Sequence, residues 1–519
     1  MYARVLTSCL YGLSGEPTWV ETDVDNGLPG FFMVGLADQA IREAKERIRS
    51  AIRSGGHKFP DKRITVNLTP ANKKKEGSHF DLPIAIGVLL ASESILCRGD
   101  LSRTAFLGEL TLDGRVQPCE GVLPMVIGLQ QKGIVRVVLP KANAAEAGLV
   151  KGMEVMPVET LEEAAEFIEG GLALRSFVAE GYVPDDLPIQ APDFADIRGQ
   201  QTVKRAAQVA AAGGHGLLMI GPPGVGKSMA GKRIPGILPP LTYEEQLEVT
   251  QIYSIAGELD AKRPFLTERP YRAPHHNMSP AALAGGGTHP KPGEISLSHC
   301  GVLFLDELPE FAPSALECLR QPLEDGQITI SRAGGRCTYP ARFMLVAAMN
   351  PCRCGYYGDP VKTCTCNESD RKRYLGKVSG PLLDRIDMHV AVERTSYLDM
   401  RGNGPAIEAP PAAEELSSAM LREGVMRAAA IQQQRYKGLN IANNARLSPR
   451  ETERFCALDG ACSRLMEAAF ARYSLSARSY HRILRTARTI ADIGASEAIR
   501  EEHLLEALSY RMPERFFES

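Results

Sequence analysis

The segment that most restricts the fold is GPPGVGKS, residues 221–228, which fits the pattern G-x-x-x-x-G-K-[ST] at every position. The apolar run LLMI before it predicts a buried strand, and a helix is predicted after it. In this setting the glycines let backbone N–H groups close around phosphate, and the helix N-terminus adds a positive dipole. We therefore predict that nucleotide phosphates are bound by Gly221, Pro222, Pro223, Gly224, Val225, Gly226, Lys227 and Ser228.

Two further apolar strands are predicted to end in polar residues that suit nucleotide hydrolysis. The segment GVLFLDELPEF, residues 301–311, places Asp306 and Glu307 directly after four apolar residues. Asp306 and the Ser228 hydroxyl are predicted to hold Mg²⁺, while Glu307 polarises the attacking water as general base. A third strand ends in Asn350, whose amide can orient that water beside the γ-phosphate. Together with Lys227 at the β- and γ-phosphates, these residues predict an ATP-hydrolysing site.

Composition excludes several classes of protein. Hydrophobic residues make up 44% of the 519, which excludes a mainly disordered chain. The net charge of −2 means that any binding of nucleic acid must come from local patches or from assembly. We find no apolar run long enough to span a membrane and no secretory signal, and most of the cysteines are scattered. These features predict a cytoplasmic protein without a membrane partner.

Two segments rich in proline divide the chain into domains. The central domain begins with a predicted helix and carries the nucleotide motifs, while the C-terminal part is rich in Ala, Leu, Arg and Glu and predicts a helical bundle. The predicted boundaries are an N-terminal domain at 1–180, a linker at 181–194, an ATPase core at 195–400, a linker at 401–412 and a helical domain at 413–519.

Four cysteines stand in two close pairs in the central domain. They form C-x-C, a nine-residue interval and C-x-C, and two tight pairs of thiolates suit a tetrahedral Zn²⁺ site. The interval, GYYGDPVKT, contains few apolar residues, so a metal would supply order that packing does not. An iron–sulfur cluster and unliganded thiols are the alternatives. The predicted zinc ligands are Cys352, Cys354, Cys364 and Cys366.

The motifs together resemble an AAA+ ATPase, and longer strings narrow the resemblance. The strings RPYRAPHHNMSPAALAGGG (269–287), KPGEISLSHCGVLFLDELPEF (291–311), LRQPLEDGQITISRAGG (319–335) and AAMNPCRCGYYGD (347–359) are similar to the ComM/YifB family. The resemblance covers nearly the whole chain. It implies an α/β fold: an AAA+ P-loop ATPase core of the helix-2-insert branch, an N-terminal Lon-protease-like α/β domain and a C-terminal helical lid.

The resemblance also implies a function and two more site residues. Members of the family are implied to be homohexameric motors that bind single-stranded and branched DNA and drive branch migration during natural transformation. The segment GPLLDRIDMHV matches the part that carries the arginine finger, so Arg385 is expected to reach the nucleotide of a neighbouring subunit. The segment at 474–492 matches the sensor-2 helix, so Arg478 is expected to contact nucleotide in its own chain. The alternative for each arginine is a surface ion pair.

The Lon-like domain is predicted to lack peptidase activity. In the alignment with Lon-type enzymes, His79 occupies the position of the serine nucleophile and Leu123 that of the lysine base. Ser78 lies one residue early, and a shift of one residue in an extended segment faces the other way. A Ser-Lys pair needs both groups within hydrogen-bonding distance. We therefore expect a structural or DNA-handling domain.

Three regions are candidates for DNA contact. Residues 42–75 contain eleven basic and three acidic residues, a net charge of +8 that could bind phosphates in a ring, although a solvated helix face explains it equally well. Residues 326–342 predict a hairpin with Arg332 and Arg336 beside its tip, and the family resemblance places it in the pore. In the insert at 273–293, we assign the adjacent histidines a structural role.

Two other functions compete with a DNA motor. A magnesium chelatase motor subunit shares the ATPase core, but the Lon-like domain and the cysteine pairs argue against it. A Lon-type ATP-dependent protease is the least favoured alternative, because the Ser-Lys pair is missing and the protease-like part comes first in the chain.

Overall fold

The computed structural model describes residues 1–172, 175–177, 192–260, 263–287, 290–332, 335–394, 416–473 and 475–511. They fall into two compact units: the first contains the described residues of 1–185 and of 243–266, and the second contains the others. The central domain, which we predicted to be contiguous, is therefore interrupted by one segment that packs in the first unit. Among the described residues, none of the helices is long and apolar enough to cross a membrane.

The first unit is an α/β fold around a seven-stranded mixed sheet. Alternating burial along β2, for example, places one face of the sheet against helices. The strand order is β3-β4-β2-β1-β5-β8-β9, with β6 and β7 forming a separate ribbon. The strands are β1 (Tyr2–Tyr11), β2 (Ser14–Asp25), β3 (Gly30–Val34), β4 (Arg63–Thr69), β5 (Thr104–Phe106), β6 (Glu109–Leu110), β7 (Val116–Gln117), β8 (Arg136–Pro140) and β9 (Glu154–Val158).

The helices of the first unit follow the apolar pattern of the sequence. In α1, the apolar residues Ile41, Ala44, Ile48 and Ile52 recur at helical spacing and are buried, and the Asp38 carboxylate caps the helix by accepting from the Ile41 N–H at 2.9 Å. The helix α2 is buried on nearly all sides. The helices are α1 (Gln39–Ser54), α2 (Asp81–Ala91), α3 (Val122–Gln131), α4 (Ala144–Ala147), α5 (Leu161–Glu169) and, from the interrupting segment, α8 (Tyr243–Ala256).

The second unit is built on a five-stranded parallel sheet in the order β11-β14-β17-β10-β18. Its central strands are short and fully buried, as the apolar runs predict. Since parallel strands point the same way, their carboxyl ends share one edge. The strands are β10 (Leu217–Ile220), β11 (Tyr271–Arg272), β14 (Val302–Leu305), β17 (Met344–Met349) and β18 (Met388–Ala391), with two ribbons, β12 (Gly285–Gly286) with β13 (Lys291–Pro292) and β15 (Gln327–Arg332) with β16 (Gly335–Pro340).

Short helices surround this sheet, and a group of longer ones follows it in the chain. The C-terminal helices share one hydrophobic core with the sheet and α6. The helices of the second unit are α6 (Gln201–Gly213), α7 (Lys227–Ile237), α9 (Pro280–Ala284), α10 (Glu294–Leu297), α11 (Pro313–Glu317), α12 (Arg320–Asp325), α13 (Glu368–Leu375), α14 (Gly380–Leu383), α15 (Ser418–Arg435), α16 (Pro449–Phe455), α17 (Gly460–Tyr473), α18 (Ala477–Ile493) and α19 (Glu501–Ser509).

The two predicted linkers have different outcomes. The second, 401–412, lies outside the described residues, as does most of the first. The described end of the first belongs to the second unit: Phe194 is buried, and the Asp193 carboxylate accepts from the Ser418 N–H at 2.8 Å. Because the Asp193 carboxylate accepts from a free N–H at the start of α15, this end of the predicted linker is part of the second unit.

One buried carboxylate joins three C-terminal segments. Asp492, fully buried on α18, accepts hydrogen bonds from Arg435 on α15 at 2.6 and 2.8 Å, from Arg488 at 3.0 Å and from the Asn444 amide at 2.9 Å. Two guanidinium groups thus share one acceptor in a region of low dielectric. The network fixes the angle between α15 and α18.

Replacing Asp492 with alanine should destabilise the protein by about 3–5 kcal/mol, because the half-buried Arg435 and the buried Arg488 would keep their charge without the carboxylate that balances it. Urea unfolding followed by circular dichroism measures this loss. The matched control is Glu423→Ala, which removes an exposed partner of Arg427 and should cost less than about 1 kcal/mol. Equal losses in the two variants would contradict the importance assigned to the network.

Candidate functional site

The phosphate-binding loop runs from β10 into α7, as its sequence pattern predicts. Gly224 and Gly226 have φ values of +80° and +92°, which glycine tolerates better than other residues. A Cβ at either position would meet no atom within 4 Å, so open space lies on this side of the loop. The loop, the helix N-terminus and the open space fit a bound nucleotide phosphate.

Lys227 is held inside this loop. The residue is only 8% exposed, and its ammonium donates to the carbonyls of Gly221 at 2.6 Å and Pro222 at 2.7 Å and to Oδ1 of Asn350 at 3.1 Å. Burial lowers the pKa of Lys227 to about 8, although the charges of Asp306 and Glu307 oppose the shift. A buried cation with only neutral hydrogen-bond partners fits an anionic ligand.

The predicted magnesium ligands also lie together. The Ser228 hydroxyl donates to Oδ2 of Asp306 at 2.5 Å, because α7 begins beside the carboxyl end of β14. A hydroxyl and a carboxylate oxygen are hard ligands of the type that Mg²⁺ prefers. The residues of this chain therefore fit Mg²⁺ as well as nucleotide.

Glu307 has a different environment from its neighbour Asp306. Its backbone is in the left-handed region, with φ of 53°, and its N–H donates to Oδ1 of Asp306 at 2.9 Å. This conformation turns the two adjacent side chains in different directions. The Glu307 side chain is 57% exposed, so water can reach its carboxylate.

The structure adds one residue that sequence reasoning did not assign to this site. Nδ1 of His276 lies 3.5 Å from Oε2 of Glu307, and the centres of the His276 and His275 rings are 4.1 Å apart with the rings tilted by 32°. The histidines follow β11, which pairs with β14 in the sheet. The contact between an insert residue and the candidate general base depends on this strand pairing, and the sequence spacing of 31 residues does not reveal it.

The two arginines predicted to contact nucleotide lie away from the loop of their own chain. Arg385 precedes β18, so it sits at the amino edge of the sheet, where it pairs with Glu324. Arg478 is exposed at the start of α18; one turn later, Arg482 contacts Asp387 at 3.3 Å at the same amino edge. The pair with Glu324 is the ion-pair alternative considered for Arg385, and the action of Arg385 on a neighbouring subunit stays a prediction. The position of α18 does not bring Arg478 to its own nucleotide loop, and that role stays a prediction without geometric support.

The four predicted zinc ligands converge. The Sγ atoms of Cys352, Cys354 and Cys364 are 3.4, 3.5 and 3.7 Å apart, and the Sγ of Cys366 is within 4.8 Å of the others. Four sulfurs bonded to Zn²⁺ at about 2.3 Å in a tetrahedron lie about 3.8 Å from one another. The donor set and spacing fit zinc.

The positions aligned with the Lon catalytic pair have other partners. Nε2 of His79 bonds to the Ser8 carbonyl at 3.0 Å, the Ser78 hydroxyl donates to Glu109, and the backbone N–H of Leu123 donates to Glu146 at 2.9 Å. The aligned positions therefore carry a buried imidazole and a buried aliphatic chain. The expectation of a structural or DNA-handling domain without peptidase activity stays a prediction.

Several basic residues of the +8 segment are engaged within the first unit. Arg47 pairs with the buried Asp81 at 2.7 Å, Lys73 with Glu16 and Lys74 with Glu76. Lys75 is fully buried, and its ammonium donates to the carbonyls of two residues in its own loop. These contacts favour the structural explanation for much of the charge.

Comparisons with known proteins match the whole of this architecture. Family models described as magnesium chelatase subunit ChlI match residues 193–400, subunit ChlI of Mg-chelatase 20–143, and the ChlI C-terminal part 415–511. YifB of Salmonella typhimurium is 41% identical over 513 residues, 99% of this chain and 97% of its own length. Competence protein ComM of Haemophilus influenzae is 42% identical over 515 residues, 98% and 97% of the two chains. A Lon protease of Mycolicibacterium smegmatis is 23% identical over 169 residues, 31% of this chain and 21% of its own length.

The parallel sheet with its phosphate loop and carboxylates, and the family model that covers it, define an AAA+ ATPase that uses ATP and Mg²⁺. The N-terminal likeness to Lon and the C-terminal helices complete the fold class that the sequence predicts, which is thereby confirmed. The near full-length identities show that the chain belongs to the ComM/YifB family.

The buried His79 predicts a pH dependence for the first unit. Burial lowers the pKa of His79 to about 4, with partial opposition from its bond to Ser8, whereas an unfolded histidine has a pKa near 6.5. Between these values the unfolded state binds more protons, so the free energy of unfolding should fall by about 3 kcal/mol as pH drops from 6.5 to 4.

Urea unfolding at a series of pH values measures this contribution against His79→Gln, which keeps a donor for Ser8 but does not titrate. Below pH 6.5, the free energy of unfolding of the wild type should fall more steeply than that of His79→Gln. Parallel profiles would show that His79 is protonated as easily in the folded protein as in the unfolded chain.

Proposed function

We propose that this protein is an ATP-driven motor that moves branched DNA, acting in the cytoplasm as a homohexamer with its active sites between subunits. The observation that carries the proposal is the separation of Arg385, at the amino edge of the sheet, from Lys227 and Asp306 at the carboxyl edge. A pocket that needs an arginine finger must then take it from a neighbour. A ring of such pockets couples hydrolysis to relative motion of subunits.

Each residue of the pocket has one part in the proposed reaction. Lys227 binds the β- and γ-phosphates, and its release from the loop carbonyls accompanies that binding. Ser228 and Asp306 would hold Mg²⁺, which when bound would neutralise charge on the phosphate oxygens. Glu307 accepts the proton of the attacking water, whose position Asn350 fixes. Arg385 of the next subunit stabilises the charge of the transition state.

Two observations support DNA as the proposed partner: the name of a related protein, and the arginines on a β-hairpin. The 42% identical ComM of Haemophilus influenzae is called a competence protein, and we take this name as support for a role in DNA uptake. The ribbon of β15 and β16 carries Arg336, which is exposed, and Arg332 near the turn. Residues 333–334 of the predicted tip lie outside the described residues. In the proposal both arginines contact the phosphate backbone, in the recombination step of natural transformation.

A chelatase-type motor subunit is the second candidate, because the three matching family models describe magnesium chelatase subunit ChlI. A Lon-like protease is the least favoured. An ATPase assay with branched DNA, a porphyrin or an unfolded protein as the added stimulant separates the three functions. Stimulation by DNA, followed by migration of four-way junctions, supports the DNA motor, whereas stimulation by porphyrin alone supports the chelatase function. The four cysteines are proposed to bind Zn²⁺ in every case.

Shared active sites predict complementation between two inactive variants. Glu307→Gln removes the general base and Arg385→Ala removes the finger, and each variant alone should lose about 10³-fold or more in ATP turnover. In a mixture, some interfaces combine an intact pocket with an intact finger, so activity should return to about a quarter of the wild-type value. Steady-state phosphate release measures the recovery.

The control for this experiment mixes Glu307→Gln with Lys227→Ala. Both changes lie in the same half of the site, so no interface regains a complete pocket, and no activity should return. No recovery in the first mixture would contradict active sites shared between subunits. Recovery in the control would show that Glu307 and Lys227 of one chain do not act in the same pocket.

Replacing both Arg332 and Arg336 with alanine should abolish the stimulation of ATP turnover by DNA, because the hairpin would lose two phosphate contacts per subunit. Ring assembly and basal turnover should persist. The matched control is Arg454→Ala with Arg472→Ala, which removes two exposed arginines on α16 and the end of α17. Normal stimulation in the hairpin variant would contradict its role.

A further inference from the structure

The four-cysteine cluster begins only two residues after a residue of the nucleotide site. β17 ends at Met349, Asn350 accepts the 3.1 Å hydrogen bond from Lys227, and Cys352 is buried directly beyond it. The chain between strand and cluster is therefore too short to move independently of either. Any force that fixes Cys352 also restricts the amide of Asn350.

A second contact joins the cluster to the phosphate loop. Gly355, next to Cys354, has φ of +87°, and a Cβ built on it would stand 2.7 Å from Cδ of Pro223. The same point would lie 3.9 Å from Cγ of Asn350. The turn that carries the first cysteine pair is thus in close contact with the loop that binds phosphate, and no side chain fits between them.

Other contacts hold the far side of the cluster. The Arg371 guanidinium donates to the Cys366 carbonyl at 3.1 Å and lies 4.4 Å from the centre of the Tyr357 ring. Arg394, three residues after β18, donates to the carboxylate of Asp359 at 2.6 Å. Residues 351–367 lack helix and strand, so the order of this segment depends on contacts of this kind and on the sulfur cluster.

We propose that Zn²⁺ bound by Cys352, Cys354, Cys364 and Cys366 positions Asn350 and Pro223, so that tight nucleotide binding requires the metal. The proposal rests on the function proposed above, because it concerns the same nucleotide site. Binding of the metal displaces the thiol protons to solvent and joins two chain segments ten residues apart. The metal then acts as a structural brace and takes no part in the transfer of phosphate.

Loss of the metal would release two contacts of the phosphate loop together. Without the metal, the four thiols would no longer be bound to one centre. The turn at Gly355 could then move away from Pro223, and the segment that follows Asn350 would no longer be anchored. Ordering these groups again upon nucleotide binding costs free energy. The cost should appear in the affinity for nucleotide even when no DNA is present and no hydrolysis occurs.

The first experiment compares the wild type with Cys364→Ser and Cys366→Ser in one chain, measured by elemental analysis and by titration with a fluorescent ATP analogue. We expect one zinc per chain in the wild type, less than about 0.1 in the variant, and affinity reduced about tenfold or more. The control, Cys97→Ser with Cys318→Ser, changes two cysteines outside the cluster and should keep both zinc and affinity.

The second experiment leaves all zinc ligands in place, in case the cysteine variant does not fold. Gly355→Ala should retain one zinc per chain yet bind nucleotide more weakly, because its methyl group would displace Pro223. Gly438→Ala is the matched control: its φ is +81°, but a Cβ there meets no atom within 4 Å. The two variants share a positive φ, and only Gly355→Ala introduces a contact with the phosphate loop.

The outcomes separate this inference from the proposed function. Wild-type protein that contains zinc but binds no nucleotide would refute the proposed function. The inference that zinc positions the phosphate loop would be refuted, without refuting the proposed function, by either of two results. One is wild-type affinity for nucleotide in the zinc-free variant, and the other is equal affinity in Gly355→Ala and Gly438→Ala. Iron in place of zinc, or no metal, would refute the zinc assignment. Weak binding that is confined to the cluster variant and Gly355→Ala supports the inference.

Discussion

The confinement of a lysine ammonium inside a loop of backbone carbonyls is the interaction on which the second unit depends. Lys227 reaches the carbonyls of Gly221 and Pro222 and the amide of Asn350 because β10 and β17 end at the same edge of the sheet. Burial makes the charged form costly, as the lowered pKa shows. Phosphate is the ligand that would relieve this cost. The local structure is therefore arranged for an anion before one arrives.

The same parallel sheet separates the chemical groups into two sets. Lys227, Ser228, Asp306, Glu307 and Asn350 meet at the carboxyl edge, whereas Arg385, Arg478 and the helical C-terminal part with Arg482 lie toward the amino edge. A parallel sheet cannot bring its two ends together within one subunit. In the proposed motor, this separation makes assembly a condition of catalysis. Each hydrolysis event then depends on the position of the neighbouring subunit.

Most of the nucleotide site could be predicted because its parts are local. The phosphate loop needs only eight consecutive residues, and the carboxylates follow a strand that is apolar by sequence. The contact of His276 with Glu307 could not be predicted in this way, because it requires the pairing of β11 with β14. The position of Arg478 could not be predicted for a similar reason. The direction of α18 across the sheet depends on contacts between distant segments, such as that between Arg482 and Asp387.

The sequence by itself determined the chemistry of this protein: a phosphate loop, two carboxylates after a buried strand, four paired cysteines and a family membership that near full-length identity shows. The tertiary structure decided which of these groups act together. It joined the cysteine cluster to the phosphate loop through Gly355 and Pro223, and it used the charge of Lys75 and Arg47 for internal contacts. Local patterns fix short-range geometry, whereas contacts between distant segments follow from the order and direction of strands, which only the folded chain sets.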